Sequence, residues 1–517
     1  MDSAFQPVLI DIPEQPVEQK QAGPTGRPKL KSVNRQQTMM ATIEVEELIP
    51  LDHKARAIWE VVGSRDLSRF YEPLRTTQGC AGRPAWDPRL LVSLWIYAYS
   101  EGISSAREIE RLMEWERGLQ WLGGLEKVNC HTLSDFRVEH KEALDELFAG
   151  LLVALEKAGL VSLEQVMHDG TKIRAQAGAD SFRREKTTRQ RLAEVRQAVK
   201  AMGDPRAEPP LKDRKQGARE RAVRERAERL EAAVKEIEAL QAAQKSEADK
   251  ADVRVSLSEP EARLMKHGDH AIAPSYNAQI TTAAENKIIV GAHLSACSSD
   301  AQSLLPAIEE VARNLEKKPE QVVVDGGFTN RENIMQCAAQ QIDLVGSLAD
   351  PKERSAAAMK AMGIDPRFAP SEFRILEEGK KLECPAGCQL ESRRKNRKRG
   401  DLYQQYQARG ADCAVCRYQP QCCPKRPKQG RTVSIRLAEQ ADVAAFRQKM
   451  GEAEYRAIYR KRGGVAEFPN AWIKEKLGLR KFRVRGLVKA GSELVWACLT
   501  YNIMQWVRLV WRQPKRA

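Results

Sequence analysis

The sequence predicts a mixed α/β protein, with an all-α region ahead of a sheet-containing core and two insertions within that core. Three observations carry this. Residues 42–160 repeat apolar positions at helical spacing. Between 161 and 350, short β-branched runs such as EQVVVDGGF alternate with helical stretches. Two segments, 183–250 and 351–435, interrupt that alternation, the first with dense charge and the second with cysteines and basic residues.

Taken in order, residues 1–41 are polar, rich in Pro, Gln, Arg and Lys, and without periodicity, which reads as a flexible basic tail. In 42–160, Asp87 caps a helix carrying Leu90, Leu91, Leu94 and Tyr97 on one face. Ser105 and Glu108 form a capping box, and Thr132 with Asp135 opens a further helix. Short capped helices of this kind suit either a DNA-binding unit or a dimerisation domain. The core comprises 161–182 and 251–350: a strand through QVMHDGTKIRA, a meander through YNAQITTA and KIIVGAHLS, then EQVVVDGGF and IDLVGSL separated by helix. Within 183–250, Val223, Ala227, Leu230, Val234 and Ile237 make a coiled-coil seam facing a stripe at Leu192, Val195, Val199 and Met202, with Pro205, Pro209 and Pro210 between them. This is a helical-hairpin insertion. Residues 436–517 are helical and complete the core.

Lys and Arg number 85 against 70 Asp and Glu, a net charge of +15, which suits a polyanionic partner. No run of 18 uninterrupted apolar residues and no charged-then-apolar leader is present, so a cytoplasmic protein without a membrane partner is expected. Eleven cysteines in a chain of 517 fit reduced thiols or metal binding better than a disulfide framework.

Asp169 and Asp325 each end a short apolar run, and Glu467 stands in YRKRGGVAEFPNAWIK among Tyr459, Arg462 and Lys474. Two carboxylates leaving adjacent strands and one on a helix are the donor set of a two-metal phosphoryl-transfer site. His168 reads as a packed neighbour of Asp169. Gly463 and Gly464 are expected to break the helix, so that a new one begins near Glu467. Arg462 and Lys474 would flank the site and hold phosphates, as would the Tyr459 hydroxyl. Trp472 either packs inward or stacks on an unstacked base. The basic run Arg480, Lys481, Arg483, Arg485 and Lys489 follows, a phosphate-tracking surface.

Cys384, Cys388, Cys413 and Cys416 form two close pairs with zinc-ribbon-like spacing, and thiolates suit tetrahedral zinc. Cys422 or Cys423 could replace one of the four. Segment 351–435 lacks an obvious core of its own, and a metal would order it.

These motifs together resemble the DDE transposases of bacterial insertion sequences. GRPAWDPRLLVSLWIYAYSEGISSAREIERL and TLSDFRVEH resemble their N-terminal helical domain, and DGTKIRAQA, SYNAQI, VVVDGGFTNRENI and YRKRGGVAEFPNAWIK follow in the family's order. The resemblance implies an RNase H-like core with a mixed five-stranded sheet, Asp169, Asp325 and Glu467 as a metal-binding triad, and Mg²⁺ or Mn²⁺ as cofactor. It also implies a homodimer that binds terminal inverted repeats in double-stranded DNA, cleaves at each end, and joins the free 3′-hydroxyl to target DNA. One departure stands out: four residues separate Arg462 from Glu467, where the common pattern has three. A non-catalytic DNA-binding descendant and a structure-selective nuclease of the same fold are the rival readings.

Overall fold

The computed structural model describes residues 42–74, 84–202, 214–244, 246–348, 359–398, 401–424 and 429–512, together with residues 35, 36, 38 and 40. Most of the predicted tail, Cys80, and Pro205, Pro209 and Pro210 lie outside the described residues. Val45–Ala517 forms one compact unit.

Ahead of the sheet stand the helices Lys54–Gly63, Pro88–Ser100, Ala106–Leu112, Arg117–Gly123, Cys130–Glu139 and Lys141–Lys157. Asp87 and Ser105 cap as their sequence positions predict, accepting from the Arg89 and Glu108 amides. The helix expected to open at Thr132 instead opens at Cys130, because the Asn129 side chain accepts from the Thr132 amide at 2.9 Å. Every residue from Leu90 to Tyr99 is buried, on all faces, since the C-terminal helix Leu487–Trp506 packs across this helix. Between them lies a buried ion pair, Arg137 to Glu493 at 3.6 Å. Trp95, Leu133, Val166, Ile280, Val322 and Trp496 belong to one continuous core, so helices and sheet share it.

The main sheet is built from β1 (Gln165–Arg174), β4 (Arg263–Lys266), β5 (Ile272–Ala283), β6 (Ile289–Ser295), β7 (Gln321–Val323) and β8 (Asp343–Val345). A two-residue pair, β2 (Phe182–Arg183) with β3 (Val255–Ser256), stands at the foot of the hairpin insertion. β5 pairs antiparallel with β1 and β6, while β1, β7 and β8 run parallel, giving the order β6–β5–β1–β7–β8. The sheet has six strands rather than the five expected. β5 is 12 residues long, so the edge that seats β6 along Asn277–Thr282 also seats β4 along Ile272–Ser275.

The insertion at 183–250 is a hairpin of helices Glu185–Ala201 and Arg214–Ala243. Leu192 and Val195 pack on Ala227, Leu230 and Val234, and Arg189–Glu238 and Arg196–Glu231 pairs set the helices antiparallel. The second insertion departs most from expectation. It holds a five-stranded antiparallel sheet, β9 (Arg374–Leu376), β10 (Lys381–Glu383), β11 (Gln389–Lys398), β12 (Asp401–Ala408) and β13 (Thr432–Ala438), with a small core of its own around Leu382, Leu390, Tyr406 and Val433. Asp401, fully buried, clasps this sheet to the main body through a two-pronged pair with Arg331, which holds its carboxyl down at about 2. Among the described residues, no helix is long and apolar enough to cross a membrane.

Candidate functional site

Asp169 lies inside β1 rather than at its end, because β5 goes on pairing as far as Arg174. β1 and β7 run in parallel register, Met167 beside Val323. Asp169 and Asp325 each stand two residues beyond that pair, near enough for the Asp325 charge to act on Asp169. β7 ends there because Asp325 folds back on its own turn: Oδ1 accepts from the Gly327 amide at 2.7 Å and the Phe328 amide at 3.3 Å. The Gly326–Gly327 turn needs no left-handed backbone. Space at Gly327 is tight instead, since a Cβ would stand 3.0 Å from that oxygen.

The opposite face of β1 fixes this geometry from beneath. The buried His168 ring bridges Thr281 Oγ1 and Gln279 Oε1, each at 2.9 Å, and its edge meets Phe328 at 4.7 Å. Burial pushes its pKa down to about 3, so it stays neutral, a packed partner. Gln279 and Asn277 both donate to Asp300 Oδ1, at 3.1 and 2.7 Å. A Cβ at Gly170 would meet that oxygen at 2.6 Å. Glycine therefore follows Asp169 because a buried polar network passes directly over its Cα.

Glu467 arrives on a helix that does not break. Ala453–Arg462 runs into a π-helical turn, Gly463–Glu467, and then into Phe468–Glu475. Pro469 cannot donate to the carbonyl four residues back, and its ring crowds it; the wider π turn relieves both problems. The same turn pairs i with i+5. Arg462 and Glu467, five residues apart, therefore share a face. Arg462, mostly buried, reaches Glu467 Oε1 at 3.4 Å with Nη2 and Asp169 Oδ1 at 3.7 Å with Nη1. Asn470 Nδ2 donates to Asp169 Oδ2 at 2.9 Å. Lys474, half-buried and with its pKa lowered by burial, feels the Asp169 charge as well. Steps of three and four residues therefore align Glu467, Asn470 and Lys474 on one helical stripe over β1.

Residues 383–507, which include that stripe, match the family described as "Transposase DDE domain", and residues 43–139 match "Transposase domain (DUF772)". Both matches are to transposase domains. Among solved structures the chain is similar to one titled "Cryo-EM structure of piggyBac transposase synaptic complex with hairpin DNA (SNHP)", at 9% identity over 89% of this chain and 82% of that one, with a TM-score of 0.26. That likeness is too low to carry any argument. No curated protein matches.

The other residues singled out in the sequence divide between this cluster and the scaffold. Tyr459 packs with Met167, Val323 and Val345 beneath the carboxylates. Trp472 turns inward, tilted on Phe468 at 5.8 Å and edge-on to Tyr501 at 6.1 Å. The basic run does not reach the carboxylates. Arg480–Phe482 lies along the far end of β1, with the Phe482 amide donating to Arg174 O at 2.9 Å, five residues or roughly 17 Å along the strand from Asp169. Arg480, Lys481, Arg483 and Arg485 are exposed there, as a basic rim. Asn470 is a site residue that sequence reasoning missed, although its place between Glu467 and Lys474 on the helical stripe was a usable signal.

Among the described residues, no three His, Cys, Asp or Glu side chains stand in a metal-holding group. At the triad the reason is visible: Arg462 spans Asp169 and Glu467, and Glu467 is turned to solvent. The donors themselves are carboxylate oxygens, which fit a hard divalent ion. Burial pushes the Asp169 carboxyl up to about 6; Arg462 opposes this and Asp325 adds to it. The sign follows: below about pH 6 the carboxyl holds a proton that a cation must displace. Mn²⁺ affinity of the DNA-free protein should fall about tenfold per pH unit below that point. Arg462→Met removes the opposing charge and should move the midpoint upward. Calorimetric titration from pH 5 to 8 checks this, and an affinity flat across the range would refute the role of Asp169.

Proposed function

We propose that this transposase binds the terminal inverted repeats of its own element, cleaves at each end, and joins the freed 3′-hydroxyl to target DNA, working as a homodimer on an RNase H-like core with Asp169, Asp325 and Glu467 as its metal-holding triad. The observation that carries the reading is the neighbouring pair Asp169 and Asp325, each two residues past the last paired positions of β1 and β7, beneath a helix that presents Glu467, Asn470 and Lys474. The strand order β6–β5–β1–β7–β8, three antiparallel and two parallel, supports the RNase H-like assignment.

Asp169, Asp325 and Glu467 would hold Mg²⁺ or Mn²⁺. When bound, such ions supply Lewis-acid polarisation of the phosphodiester and of the attacking oxygen. The chain's own residues prepare the site. Asn470 fixes the Asp169 rotamer through Oδ2. Arg462 neutralises Asp169 and Glu467 before an ion arrives, and can then turn to a phosphate, for which its fork is suited. Lys474, beside Asp169, offers a second phosphate contact. The exposed rim Arg480–Arg485 continues the positive surface along the end of β1, where a duplex backbone could run.

The test is a strand-transfer assay with Mg²⁺, using a pre-nicked duplex that carries the element end and a supercoiled target. The expected result is covalent joining of the 3′ end to target. Cleavage without joining would favour the structure-selective nuclease, and specific binding with neither would favour the non-catalytic descendant.

A further inference from the structure

Six cysteines from three separate elements of the second insertion line one cavity: Cys384, Cys388, Cys413, Cys416, Cys422 and Cys423. All six are free thiols. The first two stand at either end of the β10–β11 turn, where Cys384 N donates to Cys388 O and Gly387 N to Cys384 O, each at 2.8 Å. Gly387 makes this closure with φ +82°. Cys413 and Cys416 lie one turn apart on the short helix Gly410–Ala414 and its end, joined by a Cys416 N to Cys413 O bond of 3.2 Å. The second pair therefore sits on a helix, so the cluster departs from a ribbon of two hairpins. Cys388 is within electrostatic reach of Cys384, Cys413 and Cys416, as Cys422 is of Cys384 and Cys413, and Cys423 of Cys413 and Cys416. Cys423 hydrogen-bonds Cys413 from behind.

Two sulfurs also receive backbone donors. The Cys388 amide donates to Cys384 Sγ at 3.2 Å, and the Arg431 amide to Cys413 Sγ at 3.4 Å. These bonds fix both sulfurs at the cavity wall. The packing gives a reason for a staple. The sheet's own core has only seven buried residues, Cys413 among them, and so small a core rarely holds a fold alone.

We propose that Cys384, Cys388, Cys413 and Cys416 bind one structural zinc ion that fastens the β10–β11 turn to the helix Gly410–Ala414. The sulfurs line the cavity wall without meeting at a coordination point, and side-chain rotation would bring them to the ~2.3 Å Zn–S distance. All donors are soft, and no histidine lines the cavity, so the site selects zinc over the hard ions expected at the carboxylates. Cys422 and Cys423 remain as thiols beneath it.

The experiment is elemental analysis of full-length protein never exposed to chelator, with cobalt substitution as a second readout on the unmutated chain. Expected are about one zinc per chain and, after exchange, the intense visible bands of tetrahedral thiolate-bound cobalt. Cys388→Ser and Cys413→Ser should each lose the ion, while Cys297→Ser, an exposed thiol elsewhere, should keep it. Under about 0.2 zinc per chain with no such cobalt bands would overturn the proposal, as would iron with visible colour in place of zinc.

Discussion

Alanine at Asp169, Asp325 or Glu467 is expected to lower end cleavage and strand transfer by about 10³-fold or more, since on the proposed reading each carboxylate supplies oxygen donors to the metal ions. Asn470 and Lys474 cannot substitute, one being an amide and the other a cation. DNA binding should survive in all three variants. The grip is expected from the basic rim Arg480–Arg485 and from Arg462 and Lys474, and deleting a carboxylate only makes that surface more positive. Gel-shift and strand-transfer assays on the same preparations test both halves of the expectation. Robust joining by any one folded variant would remove that residue from the triad, and joining by all three would end the two-metal reading.

The second large effect is on stability. Glu493→Ala is expected to cost roughly 3–5 kcal/mol. Glu493 is fully buried on the helix Leu487–Trp506, with Oε2 accepting from the Arg483 amide at 2.8 Å. Arg137, only 6% exposed, faces it from the helix Cys130–Glu139 and lies 4.6 Å over the Trp95 ring. Alanine would leave the guanidinium buried beside a cavity with its charge uncompensated. Arg137 belongs to one matched transposase domain and Glu493 to the other, so the loss falls where the two are joined. Glu493→Gln keeps an oxygen to accept from the Arg483 amide and fills the same space, so it should cost less than alanine. Urea unfolding of the variants decides the matter; a loss below about 1 kcal/mol for alanine would mean that the pair is incidental.

Where the sequence carried a period or a cap, the structure could be anticipated. The strands bearing Asp169 and Asp325 announce themselves by β-branched runs, and Asp87 and Ser105 cap where their chemistry requires. The insertion sheet did not, because β11 is polar and exposed from Glu391 to Arg397, so no alternation marks it. Its register comes from β12, which is half-buried, and is settled only by tertiary pairing. The network beneath Asp169 was hidden for a similar reason. Asn277 and Gln279 sit in a strand where polar residues normally face water, yet both are buried and committed to Asp300. Gly463 and Gly464 read as a break because α-helical propensity says nothing about a π turn.

The π turn at Gly463–Glu467 uncouples distance along the chain from place on the surface. A helix with one residue too many can shift everything beyond it by about 100°, or it can widen once and keep its phase. This one widens, and Arg462 and Glu467 stay on the same side despite the longer gap. A pattern search that counts residues between arginine and glutamate would pass over this chain. One that counts helical phase would find it.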